Sequence, residues 1–198
     1  MSATATRQTI QLPIDHGVVG LRGLSPERSR FELEYALERG STANSVLFEA
    51  ADDQPAVLVH PPGAAYGDVF LPALAALVPG GDQPLLVVVG HVNPNRVALL
   101  RMLAEAYSRL ELIASNAGAK LLQELWSLRK PAPASQENAQ PPLPDLPAIR
   151  VIRHEQDLPL GFGRSLQLLP APTPRWPGGL LAFETSLGLL MSAKFFSA

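Results

Sequence analysis

The chain has 198 residues, 46% of them apolar and 17% charged, the composition of a globular protein with one domain and a sizeable core. A formal charge of −2 predicts no broad attraction to nucleic acid or to an anionic membrane surface. The absence of cysteine excludes disulfides, thiolate metal sites and cysteine nucleophiles. The start, MSATATRQTIQLPIDHG, has no basic segment followed by a long apolar core, so the cytoplasm is the expected location.

RFELEYAL, Arg30 to Leu37, alternates apolar and polar residues and predicts a half-buried strand; ANSVLFEA, after the breaker RGST, predicts its hairpin partner. AVLVH, Ala56 to His60, is a short apolar run stopped by PPGAAYG, as in a strand buried on both faces. From Val69, the spacing of Val69, Leu71, Leu74, Leu77 and Val78 predicts a helix that PGGDQP ends. LLVVV then predicts an interior strand, and Leu99, Met102, Leu103, Ala106 and Leu110 a helix. Between them GHVNPNR, Gly90 to Arg96, lies where a strand hands over to a helix, the end of an open α/β sheet at which ligands bind. ELIAS predicts a further strand and NAGAKLLQELWSL a further helix, with Asn116 as its cap.

KPAPASQENAQPPLPDLP, Lys130 to Pro147, is dense in proline and has no apolar period. It is expected to be an exposed, extended insertion within a single domain covering 1–198. Strand-like material resumes with AIRVIRHEQ, and LPLGFGRSLQLLPAP reads as a hairpin. GFGRSL lacks a third glycine and a following helical pattern, so it is a turn and not a phosphate loop. LLAFE, TSLG and LLMSAKFF form another expected hairpin, with Leu189 to Phe196 as its last strand; Glu184 and Lys194 argue against a membrane span there. Strands, then alternating strand and helix, then strands predict α/β layers with a mixed sheet. Ser25, Ser41 and Ser45 have no nucleophile-elbow context.

FELEYALERGSTANSVLFEA, VHPPGAAYGDVFLPAL, GHVNPNRVALL, SNAGAKLL and LPAPTPRWPGGLLAFE together closely resemble the multidomain flavodiiron proteins of oxygenic phototrophs, the diflavin flavoproteins. The resemblance runs from about Leu12 to the last residue, broken at the proline-rich segment. It implies a metallo-β-lactamase-like αββα sandwich, here incomplete at the C-terminus, and a parent family that uses a diiron centre and FMN. Family function is reduction of oxygen to water with electrons from NAD(P)H or a photosynthetic donor, and family members form head-to-tail dimers. This chain is expected to stop before the flavodoxin-like and flavin reductase domains, and therefore to associate with a homologue or itself.

Carried over position by position, the family's H-x-E-x-D-H motif falls on His91, Asn93, Asn95 and Arg96. The block that typically reads HWPD is Arg175-Trp176-Pro177-Gly178, and the bridging aspartate falls on Lys194. The resemblance also places Trp176 close to a partner subunit's flavin. Iron needs carboxylate oxygens and neutral imidazoles, and an arginine cannot lose its proton to become a ligand. Like charges at ~4 Å cost roughly 4 kcal/mol at an effective dielectric near 20, so Arg96, Arg175 and Lys194 should repel an incoming cation. The expectation is a pocket without metal, in which these cations replace the charge of the irons and hydrogen-bond to Asn93, Asn95 and a bound anion. His60, on the next strand end, is a candidate neighbour of that pocket; His16 and His154 have no evident route to it. The expected function is a subunit of an oxygen-reducing flavodiiron oxidoreductase, inactive alone; the alternative is a non-catalytic anion-binding or assembly module.

Overall fold

The computed structural model describes residues 6–27, 40–128 and 142–196. A hairpin of β1 (Gln8–Asp15) and β2 (Val18–Ser25) opens the fold and runs antiparallel into β3 (Ser41–Phe48), which pairs antiparallel with β4 (Ala56–Val59). Three crossovers follow, each with a helix: α1 (Gly67–Ala75) leads to β5 (Leu85–Val88), α2 (Pro94–Ala106) to β6 (Leu110–Ser115), and α3 (Asn116–Trp126) to β7 (Ala148–Ile152). β4 to β7 are parallel, so the seven-stranded sheet β1-β2-β3-β4-β5-β6-β7 is mixed. A separate antiparallel sheet of four strands contains β8 (Gln156–Pro159), β9 (Ser165–Pro170), β10 (Leu180–Glu184) and β11 (Leu189–Met191), in the order β11-β10-β9-β8.

The apolar runs explain the layering. In a strand alternate side chains face opposite ways, and in β4 Ala56 and Leu58 enter the core under the helices, whereas Val57 and Val59 enter the core between the sheets. Leu85 and Val87 oppose Leu86 and Val88 in the same way on β5, and Leu112 opposes Ile113 on β6. Strands buried on both faces have no polar alternation, which is why AVLV and LLVV are continuous. Each fully buried leucine or valine here stabilises the fold by about 1.5–3 kcal/mol. The described residues therefore stack as helices, sheet and sheet, an α/β sandwich that accounts for three of the layers expected.

Several expectations shift. The buried stripe of α1 runs through Phe70 and Leu74 and continues at four-residue spacing to Val78 just past the helix, while Val69, Leu71 and Leu77 are only partly covered. On α2, Val97, Leu99, Leu100 and Leu103 are buried, Ala106 is exposed, and Leu110 already belongs to β6. The β1–β2 hairpin is an addition to the expected elements; it turns at Gly17, whose φ is +70°. The expected strand Arg30 to Leu37 and most of the proline-rich segment lie outside the described residues; 142–147 carry neither helix nor strand. The GFGR turn is a two-residue hairpin with positive φ at Phe162 and Gly163, 61° and 64°, the twist that suits antiparallel strands.

The cap of α3 is Ser115 and not Asn116, which is the first helical residue. Ser115 Oγ accepts from the Gly118 N–H at 3.1 Å and donates to the Gly178 carbonyl at 3.0 Å, tying the helix start to the loop before β10. Ser115→Ala removes the cap and leaves a buried carbonyl without its donor; the expected loss is about 2 kcal/mol. Urea denaturation of the variant measures it, with Ser115→Thr expected to recover most of the loss.

Candidate functional site

The carboxyl ends of β4 and β5 meet the C-terminal end of β11 around a cavity of about 420 Å³, which His60, His91, Arg96 and Lys194 help to line. Each arrives for a local reason. After β5 the chain turns at Gly90 and His91, and Asn93 then starts α2: its φ of −151° is extended, its Oδ1 accepts from the Arg96 N–H at 2.8 Å, and Pro94 supplies the first helical residue without needing a donor. That geometry turns Arg96 inward on the first turn of α2. Its residue is 8% exposed, and its guanidinium donates to the Pro61 carbonyl in the loop after β4.

Lys194 comes from the other sheet. The expected strand Leu189 to Phe196 stops at Met191; Ala193 takes a left-handed φ of 48°, and the Phe195 N–H closes a turn on the Ser192 carbonyl at 2.9 Å. The turn brings Lys194 back to the cavity and Ala193 against Gly90. Asn93 is thus a helix cap whose carbonyl oxygen serves the Arg96 backbone and not its guanidinium. Asn95 is exposed, its amide lying where a side chain on Gly63 would stand. Arg175 is exposed too, with its guanidinium 5.7 Å from the centre of the Trp176 ring, and it is not among the residues lining the cavity. Trp176 itself packs edge-on to His91, ring centres 5.1 Å apart. Arg96 and Lys194 therefore share one cavity with His91, and Arg175 stands behind it across Trp176.

His60 is the residue that ties this site together. Its φ is +56°, uncommon for a residue with a Cβ, and the Ser45 hydroxyl donates to its carbonyl at 2.9 Å. Its own N–H bonds to the Val88 carbonyl at 2.9 Å, while Nε2 lies 3.0 Å from the Met191 carbonyl across the sandwich. A carbonyl only accepts, so Nε2 carries the proton and Nδ1 bears the lone pair; Nδ1 is buried with no hydrogen-bond partner among the described residues. Burial pushes the imidazole down to about 4, the hydrogen bond to Met191 opposes this, and the charges of Arg96 and His91 add to it. His60 is neutral at physiological pH, an inter-sheet pin beside two cations. His16 instead packs edge-on to Phe162, ring centres 4.4 Å apart, and His154 is exposed.

Among the described residues no three histidine, cysteine, aspartate or glutamate side chains gather where they could hold a metal ion. Ser45 as donor to the His60 carbonyl and Gly90 as the point of close approach are roles that the sequence patterns do not indicate. Ser45 alternates like any strand residue, and Gly90 is marked only by its place after LLVVV.

Comparison with known proteins adds the following. No family model matches the chain. Diflavin flavoprotein A 6 of Nostoc sp. strain PCC 7120 is 35% identical over 198 residues, which is 100% of this chain and 31% of the relative. The solved fragment 1-254 of diflavin flavoprotein A 5 from the same organism superposes with a TM-score of 0.80 at 31% identity, covering 98% of this chain and 69% of that one. The metal-soaked Flv1 flavodiiron core of Synechocystis sp. PCC6803 gives 0.79 at 30% identity, with 98% of this chain and 44% of that one covered. The chain spans about a third of the length of the curated relatives it matches.

Proposed function

The chain belongs to the diflavin flavoprotein family, and from that premise we propose that it is a subunit of an oxygen-reducing flavodiiron assembly that performs no iron chemistry itself. It is a flavodiiron-type core domain of the metallo-β-lactamase-like fold, and its described residues hold no intact diiron donor set. Two irons do not fit the residues present. The strand-to-helix turn offers His91, a capping amide, an exposed amide and a guanidinium; Arg96 has no lone pair to give and is already donating to Pro61. That donor set is the observation that carries the proposal.

In this reading flavin and iron chemistry belong to a ligand-complete homologue, with which the chain forms a hetero-oligomer; a homo-oligomer of the chain would repeat the same donor set and reduce no oxygen. Exposed Leu190, Phe195 and Phe196, at 44%, 45% and 74%, support association. The proposal places the chain in the cytoplasm; among the described residues no helix is long and apolar enough to cross a membrane. The proximity of Trp176 to a partner's flavin belongs to the same proposal, as do a domain extent of 1–198 and a proline-rich insertion near 130–147.

Oxygen uptake tests it. The chain with reductant alone is expected to consume no oxygen, and adding it to a ligand-complete flavodiiron homologue should raise that protein's rate. Uptake by the chain alone overturns the proposal, and so does a partner rate that the chain leaves unchanged. A second reading, an anion-binding module, is favoured by Arg96 and Lys194 lining one cavity with the neutral His60. Bromide bound there in a crystal, located by its anomalous signal, would support it.

A further inference from the structure

A groove of about 420 Å³ lies at the other end of the parallel strands, where no part of the His91 site reaches. Its position follows from chain connectivity. Pro55 and Pro84 stand immediately before β4 and β5, Arg109 before β6, and Pro159 closes β8. The floor is aliphatic: Leu86, Leu110 and Leu158 are 7%, 7% and 4% exposed. Pro55, Pro84 and Pro159 have no N–H, so at these three places the lip offers no backbone donor of the kind from which phosphate sites are built.

Charge in the groove is uneven. Arg150 is held in a bidentate pair with Glu111, both N–O distances being 2.9 Å, which neutralises that carboxylate. Arg109 also lines the groove and is exposed, and its side chain has no hydrogen bond or ion pair among the described residues. Two guanidinium groups and one carboxylate leave one surplus positive charge beside a leucine floor. A planar carboxylate matches the fork of a guanidinium, and a short hydrocarbon body matches the floor. A cation would meet the surplus charge, and a phosphate would gain nothing from the leucines. The volume lies in the lower part of the ~300–1,000 Å³ range of small-molecule sites.

We propose that this groove binds a small organic carboxylate, with its head on Arg109 and its aliphatic body on Leu86 and Leu158. The methyl-labelled 198-residue chain titrated with sodium hexanoate tests this, with hexylammonium chloride and hexanol as probes of the same length. Hexanoate is expected to bind saturably at millimolar concentration, shifting the Leu86 and Leu158 methyls, with the other two probes clearly weaker. Arg109→Gln, at an exposed position, should fold normally and weaken hexanoate about fivefold or more. Lys194→Gln should leave the binding unchanged, which separates this groove from the His91 cavity. Equal binding of hexylammonium or hexanol, an Arg109→Gln variant that binds as tightly, shifts at Met191 in place of Leu86 and Leu158, or no saturable shift would each overturn the proposal.

Discussion

Gly90→Ala is expected to destabilise the protein by about 3 kcal/mol, at the upper end of what overpacking costs, and to lower Tm by roughly 6–12 °C. A Cβ at this position would stand 2.3 Å from His60 Cε1, 2.4 Å from His60 Nδ1 and 2.5 Å from the Ala193 Cβ. Relief is blocked on every side. The imidazole is fixed by its bond to the Met191 carbonyl, Ala193 sits in a left-handed turn, and the Gly90 carbonyl accepts from the Leu180 N–H at 3.1 Å. Backbone freedom is not the reason for glycine here; close approach of the two sheets is. Thermal and urea unfolding measure the effect, and a loss under about 1 kcal/mol would mean that the imidazole does not lie over Gly90.

Acid should release the same junction. His60 takes its proton near 6.5 when unfolded and only near about 4 when folded, because burial disfavours the charged ring. Between those values the unfolded chain binds more protons, so this contribution is fully present above pH 6.5 and is lost as pH falls toward 4. Its size is about 3 kcal/mol. Protonated Nδ1 would have no acceptor among the described residues, and Arg96 and His91 would add repulsion. His60→Asn tolerates the left-handed backbone and removes the ring, so its stability should vary much less between pH 6.5 and 4. An unchanged slope in the variant would assign the acid sensitivity to other groups.

What was legible in the sequence follows from how locally each feature is determined. AVLV and LLVV are continuous because both faces are buried, and HVNPNR reads correctly as a handover because an asparagine before proline is a cap in its own right. The β1–β2 hairpin has no comparable local signal. Pro13 argues against a strand, yet β1 lies at the sheet edge and its register is irregular between Pro13 and Asp15, the two settings in which a sheet tolerates a missing N–H. On α1 the periodic pattern points to Val69 and Leu71, whereas sheet packing selects Phe70. The substitution of arginine and asparagine for metal donors follows from the family resemblance, which aligns the motif with His91, Asn93, Asn95 and Arg96. Their separation does not: Arg96 turns inward because Asn93 caps its helix, while Arg175 faces solvent across Trp176.

Lys194 shows the limit most clearly. LLMSAKFF has strand composition throughout, and nothing local announces the left-handed Ala193 that redirects it; contact with Gly90 on the other sheet does so. The convergence of His60 with His91, Arg96 and Lys194 is likewise tertiary, set by the meeting of two strand ends with a turn from the second sheet.

The most direct measurement is iron retention. The chain is incubated anaerobically with excess ferrous iron, freed of unbound metal by gel filtration, and assayed for iron per polypeptide. The donor set around His91 predicts far less than one iron per chain, unchanged when His91 is replaced by alanine. Two tightly held irons per chain, lost in His91→Ala, would contradict it.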